Sequence, residues 1–374
     1  MIENSRELMR ILQVNLNGEG GAFSLIYQMQ QQLLTEFIFD FYWMGKFCDN
    51  KFTNELKRNG CRFFEANIRK NRFIGHLLTP FLFYKFLKNN HYDIVHINAD
   101  TAFKHIIYAK SAKKAGCKRV IIHSHSSGIN GKFKFLKFFL HCVSRPFLLK
   151  NSDIYISCSK LASDWMFKSD DRKVFMIKNG VDTDKFAFSL KERKIYRDKI
   201  NANERIVIGM VGNLSYQKNP EFLISILSFL PTKKYLVVFI GDGPNRKNIE
   251  TLVHKKRLEE SVIFYGQSPD VDKLLNSLDL FVMPSRFEGL PVSGVEAQVN
   301  GIKCIFSDKI TPEIRLLPTS EILTLSNIQK WIDVIKNVKN FERFENAAEY
   351  VSKLGFNIHD SAKILSQIYK DENI

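Results

Sequence analysis

In the stretch Pro284 to Gln298, PSRFEGLPVSGVEAQ, Glu288 and Glu296 stand eight positions apart. An uninterrupted helix would carry the two carboxylates on roughly one face, two turns apart. Gly289 and Pro291 argue against such a helix. The expected arrangement is a loop holding Glu288, in which Gly289 lets backbone approach a ligand, followed by a helix that Pro291 opens and that carries Glu296. The free amides at the amino end of that helix favour an anion such as phosphate.

Other chemistry-bearing residues lie in the N-terminal half. His123 and His125 form an H-x-H pair in RVIIHSH, with His125 ending a strand and His123 expected on the opposite strand face. A metal reading of the pair needs further ligands, which the neighbouring sequence does not supply. The glycine-rich GEGGAF, residues 18 to 23, departs from the dinucleotide fingerprint because Phe23 stands where a small residue is required. Gly20 and Gly21 fit either a loop that brings backbone close to a ligand or a plain tight turn. The six cysteines, at 48, 61, 117, 142, 158 and 304, form no CxxC pair and suggest a reducing compartment.

The elements that must position these residues alternate in type. RILQVNLN, FIFDFYWM, RFFEA, YDIVHIN, RVIIHSH and DIYISCS read as strands, with helical stretches between most of them. The segment from about Phe186 to Glu204 is charged and lacks strand signals, so it reads as a linker with a helical piece. The rhythm then restarts with IVIGMVGNL, YLVVFIGDG, VIFYG, LFVMPS, KCIFS and EILTL. The fold class is α/β, with two doubly wound parallel sheets in tandem. Open sheets of this kind bind ligands at the carboxyl ends of their strands.

At 374 residues the chain has room for two domains, each with its own core. Its 45% hydrophobic and 25% charged residues suit a soluble globular protein, and neither a leader nor a membrane span is expected. Of the formal net charge of +16, residues 1 to 190 carry +13, and between Asp100 and Asp153 eleven basic residues occur without an acid. The partner of this half is expected to be anionic. From Phe133 to Lys150, FKFLKFFLHCVSRPFLLK reads as a helix on which Lys134, Lys137, His141 and Arg145 form one basic stripe, with Phe135, Phe138, Phe139 and Cys142 on other sides. Such a helix can rest on an anionic bilayer through its cations, and HLLTPFLFYKFLK at 76 to 88 supports the same surface. No nucleic-acid module is visible.

Taken together, GEGGAF, HSHSSG, IKNGVDTDKF, VGNLSYQKNP, GDGP, FYG and FEGLPVSGVEAQ resemble the retaining glycosyltransferases of the GT-B fold, in particular family four with its E-x7-E signature, of the type that builds bacterial capsule, exopolysaccharide or lipopolysaccharide. The resemblance spans nearly the whole chain. It implies two facing Rossmann-like domains: residues 1–190 for the acceptor, joined by a returning helix at 356–374; a linker at 191–203; and residues 204–355 for a nucleotide sugar.

By the same resemblance, Lys218 binds the diphosphate, Glu296 accepts hydrogen bonds from ribose hydroxyls, and Glu288 lies near the sugar and the reacting carbon. His125 contacts the donor sugar or stabilises the reacting centre. His125, Lys218 and Glu288 are therefore the expected catalytic residues, while Gly20, Gly21, Asn213, Lys218, Gly266, Gly289, Leu290 and Glu296 are expected to bind the donor. Asn213 stands where the family usually has Arg, which removes a charge. Arg286 and Arg315 are candidates to replace it. The D-x-D in VDTDKF falls where the family has a structural turn.

The resemblance thus implies a retaining, metal-independent transfer from a nucleotide-sugar substrate, most simply UDP-linked, to a lipid-linked glycan. It would take place in the cytoplasm, at the inner face of the membrane, with no cofactor. Transfer to a soluble small molecule or a protein, non-hydrolysing epimerisation of a nucleotide sugar, and a catalytically silent partner of another transferase are the alternatives.

Overall fold

The computed structural model describes residues 8–66, 72–129, 133–167 and 174–371. The chain divides into unit 1, Met1–Lys178 with Ser361–Ile374, and unit 2, Asn179–Asp360. The division comes before the charged segment taken for a linker. Residues 191–203 instead contain most of the helix Leu190–Lys199, which packs within unit 2. Its Arg193 and Arg197 both reach the buried Asp279 carboxylate, which also accepts from the Val207 and Phe341 amides. A buried carboxylate is tolerated only with such partners.

Among the described residues, unit 1 carries β1 Met9–Val14, β2 Phe37–Trp43, β3 Arg62–Glu65, β4 Ile94–Ala99, β5 Arg119–Ser124, β6 Ile154–Ser157 and β7 Val174–Met176. They form one parallel sheet in the order β3-β2-β1-β4-β5-β6-β7. Leu12, Val14, Val95 and Ile97 from this sheet pack with Phe83 and Tyr108 from the helices. β4 is buried along its whole length although it contains His96 and Asn98. The helix Ile358–Lys370 returns to this unit, where Tyr369 is fully buried and meets Phe37 edge to face at 5.3 Å.

Unit 2 carries β8 Ile206–Val211, β9 Tyr235–Ile240, β10 Val262–Gly266, β11 Leu280–Met283, β12 Lys303–Ser307 and β13 Glu321–Leu323. The order is β10-β9-β8-β11-β12-β13, again parallel throughout. IVIGMV and YLVVFI are continuous apolar runs because both faces of a central parallel strand are covered. In each unit the order of strand addition reverses beside the first strand, between β1 and β4 and between β8 and β11. Ligands of doubly wound sheets bind outside the strand ends at such a reversal.

Candidate active site

Unit 2 brings Lys218, Glu288 and Glu296 to the carboxyl ends of β8 and β11, the two strands at its reversal point. Lys218 Nζ lies 2.9 Å from Glu288 Oε1, and both side chains are largely covered. The two loops that carry them are bound to each other. Asn219 Nδ2 donates to the Pro284 carbonyl at 3.0 Å, the Arg286 amide donates to the Gln217 carbonyl at 2.7 Å, and Gln217 Nε2 donates to the Phe287 carbonyl at 3.2 Å. The lysine side chain runs across Gly212, whose φ is +135°. A Cβ at that position would stand 3.1 Å from Lys218 Cε. The positive φ favours glycine there, and a Cβ would press on the lysine side chain.

Glu296 lies inside the helix Val292–Val299, with Pro291 at its N-cap, one position earlier than expected. Only 8% of the residue is exposed. Burial pushes its carboxyl up to about 7, against the pull of Lys185 and Lys218. Gly289 and Leu290 are buried in the intervening loop, and the Leu290 carbonyl accepts from Asn179. Asn213 is exposed and sits over Gly243, where a Cβ would meet its Oδ1 at 2.7 Å. The Gly266 carbonyl accepts from the Gly241 amide at 2.8 Å.

Of the two arginines considered for the charge missing at Asn213, Arg286 stacks its guanidinium 4.2 Å from the Tyr216 ring centroid, on the Lys218 loop. Arg315 is exposed and turns to the Pro318 carbonyl. A cation that the sequence reading overlooked, Arg246, pairs with Asp242 and Glu250. Its NH1 lies 3.9 Å from where a Cβ on Gly266 would stand. Asp182 of the D-x-D caps a short helix by accepting from the Lys185 amide.

In unit 1 the rings of His123 and His125 lie side by side, tilted by 34°, which corrects the expectation of opposite faces. Residues two apart on a strand share a face, and the His123 and His125 rings lie 3.9 Å apart, centre to centre. His125 Nε2 is 2.8 Å from Asn98 Oδ1. Asn98, Gln13, His96 and Tyr369 continue the contact into a buried polar network at the ends of β1, β4 and β5. Burial holds His125 and His96 at about 3, so both are neutral. The sequence reading missed Gln13, Asn98 and Tyr369. The available signal was a polar residue at position 13 and at position 98 within otherwise apolar strands. Gly20 takes φ +86° and precedes the helix that starts at Gly21; side-chain space is open at both glycines.

The basic stripe needs correction. His141 is fully buried: it accepts from the Ala102 amide through Nδ1, contacts the Trp165 carbonyl through Nε2, and stacks on Trp165 at 4.1 Å. It is not a surface group. This anchor sets the rotation of the helix Lys134–Ser144, leaving Lys134, Lys137 and Arg145 half-buried and turning the apolar residues outward. Phe135 is 93% and Phe139 62% exposed, joined by Leu136, Phe138, Val143 and Phe147. Arg145 donates to the Asp164 carbonyl. Of the 76–88 segment, the side chains of residues 76 and 77 lie outside the described ones. No helix among the described residues is long and apolar enough to cross a membrane.

Comparison with known proteins follows the division into units. The family described as Glycosyltransferase Family 4 matches residues 43–185, and that described as Glycosyl transferases group 1 matches residues 192–317. EpsF of Bacillus subtilis (strain 168), named as a glycosyltransferase, is 30% identical over 294 residues, covering 74% of this chain and 76% of that one. A UDP-Gal:alpha-D-GlcNAc-diphosphoundecaprenol alpha-1,3-galactosyltransferase of Escherichia coli is 30% identical over 247 residues, and the match spans 60% of its length and 60% of this chain. In fold, the chain is similar to Anabaena HepE in complex with UDP, with a TM-score of 0.72 at 17% identity over 97% of this chain and 100% of that one. With two parallel-sheet α/β units and these relatives, the chain belongs to the glycosyltransferases of the GT-B fold.

Proposed function

We propose that the protein is a retaining, metal-independent glycosyltransferase that moves a sugar from a UDP-linked donor to a lipid-linked acceptor in surface glycan biosynthesis, working at an anionic membrane surface. The observation that carries this reading is the Lys218–Glu288 pair at the reversal point of the unit 2 sheet, with Glu296 on the helix that follows. Lys218 meets the diphosphate as negative charge develops on it, a preorganised electrostatic contribution. Glu296 accepts hydrogen bonds from the ribose hydroxyls, and Glu288 addresses the sugar. The acceptor hydroxyl attacks the anomeric carbon on the side from which the diphosphate leaves. The new C–O bond forms as the C–O bond to phosphate breaks, and the hydroxyl proton passes to the departing phosphate oxygen.

The UDP complex of HepE and the E. coli relative, whose name specifies a UDP sugar and a diphosphoundecaprenol acceptor, support the donor and acceptor classes. The membrane surface is supported by the outward apolar face of Lys134–Ser144 within an acid-free stretch. Inserting a phenylalanine side chain contributes roughly 2 kcal/mol and each nearby cation about 1 kcal/mol. A thermal-shift screen tests the donor: stabilisation by UDP and UDP sugars but not by GDP or NAD is expected. A preference for GDP or NAD would overturn the donor assignment, and turnover abolished by EDTA would overturn metal independence.

A further inference from the structure

The polar network of unit 1 has a direction. Asn98 Nδ2 faces the His96 main-chain carbonyl at 3.4 Å as well as Gln13 Oε1 at 2.9 Å, so the amide nitrogen, not the oxygen, points inward. Asn98 Oδ1 is then the acceptor, and His125 Nε2, 2.8 Å away, must carry a proton to donate to it. With its own oxygen occupied, Gln13 donates through Nε2 to the Tyr369 hydroxyl at 3.0 Å. Tyr369 donates to His96 Nδ1 at 2.7 Å, and His96 Nε2 donates to His123 Nδ1 at 3.2 Å. Two ends remain open: His123 Nε2, a donor, and His125 Nδ1, an acceptor. Both atoms are buried without a hydrogen-bond partner.

We infer that Asn98, Gln13 and Tyr369 are positioning residues that hold His125 as the neutral Nε2–H tautomer, so that its Nδ1 is an acceptor for a hydroxyl of a bound sugar. The inference rests on the proposed transfer for the nature of the ligand, but not for the tautomer. The choice of tautomer has a chemical consequence. A neutral ring with Nδ1 unprotonated can accept from a hydroxyl but cannot serve as a cation for the departing diphosphate. A buried acceptor without a partner is costly, and a ligand hydroxyl removes that cost on binding. Burial, which disfavours the imidazolium, agrees with a ring that stays neutral. Tyr369 reaches His96 from the returning helix, 273 positions away, so that helix takes part in fixing the ring.

The test is long-range 1H–15N NMR of the histidine-labelled full chain between pH 6 and 8, combined with steady-state kinetics against a UDP sugar. His125 should show a protonated Nε2 and an unprotonated Nδ1 throughout. Asn98→Ala should give a mixed tautomer signal and about a tenfold lower kcat/KM. Wild-type His125 protonated at Nδ1, or a tautomer unchanged in Asn98→Ala, would overturn the inference. If Asn98→Ala does not fold, Tyr369→Phe and the wild-type spectrum decide. A correct tautomer with no transfer from any donor would sink the proposed function and leave the positioning intact.

Discussion

Lys218 and Glu288, seventy positions apart in the chain, form an ion pair of 2.9 Å at the carboxyl ends of neighbouring parallel strands. In the proposed transfer, the lysine assigned to the leaving diphosphate and the glutamate assigned to the sugar are thus already in register before any ligand arrives. Donor binding must share or exchange this contact, which makes each residue's removal felt by the other.

In the proposed transfer, Lys218→Ala removes a charge-assisted contact to the diphosphate that strengthens in the transition state. The expected cost is roughly 3 kcal/mol, about a hundredfold in turnover. Steady-state rates with saturating donor measure it, and near-normal turnover would show that the lysine does not meet the diphosphate.

Glu288 and Glu296 should fail differently. Glu288→Ala is expected mainly to slow transfer, because the proposed function puts its carboxylate beside the reacting carbon, and to take the ion-pair partner from Lys218. Glu296→Ala is expected mainly to weaken donor binding. Separate kcat and KM measurements check the division, and identical defects would refute it.

The Glu296 carboxyl, raised to about 7 by burial, makes a pH prediction with a definite sign. Between the usual value of 4.5 and about 7 the folded protein holds a proton that the unfolded chain has released, so stability falls as pH rises through that window. The loss is complete above pH 7, where it amounts to roughly 3 kcal/mol. Glu296→Gln should therefore melt higher than wild type at pH 8 and no higher at pH 4. Donor affinity should move the opposite way in wild type. Hydroxyl binding favours the carboxylate, so affinity weakens by up to about tenfold per unit below pH 7, a dependence that Glu296→Gln should abolish.

The outward phenylalanines give a membrane prediction. Replacing Phe135, Phe138 and Phe139 together by Ser should reduce flotation with anionic vesicles by at least tenfold and lower the melting temperature only slightly, because Phe135 and Phe139 are largely exposed and Phe138, half-exposed, lies beside the Trp165 ring. Replacing His141 by Ala should instead lower the melting temperature, since that ring anchors the helix to Ala102 and Trp165. Equal flotation of wild type and the triple variant would remove the apolar face from the membrane reading.

Asp279→Ala leaves Arg193 and the Val207 and Phe341 amides without their common acceptor. Stripping one partner from a buried pair costs about 3–5 kcal/mol. Thermal or urea unfolding reads it directly, and a change below about 1 kcal/mol would mean that the helix Leu190–Lys199 is held by other contacts.

The two sheets could be read in advance because central parallel strands are buried on both faces, and runs such as IVIGMV and YLVVFI leave little choice of structure. β7 escaped notice: it is three residues at a sheet edge, too short and too exposed to carry a pattern. The acids of FEGLPVSGVEAQ could be placed locally, since Gly289 and Pro291 dictate a loop and then a helix regardless of the rest of the chain. Periodicity on the helix Lys134–Ser144 showed which residues share a face but not which face turns outward. That was decided by His141 docking on Trp165. In the same way, the residue types of Lys218, Glu288, His125 and Asn98 were open to chemical interpretation, whereas their pairing was not. Hydrogen bonds and ion pairs act over about 3 Å, and only the stacking of strands brings positions far apart in the chain within that range.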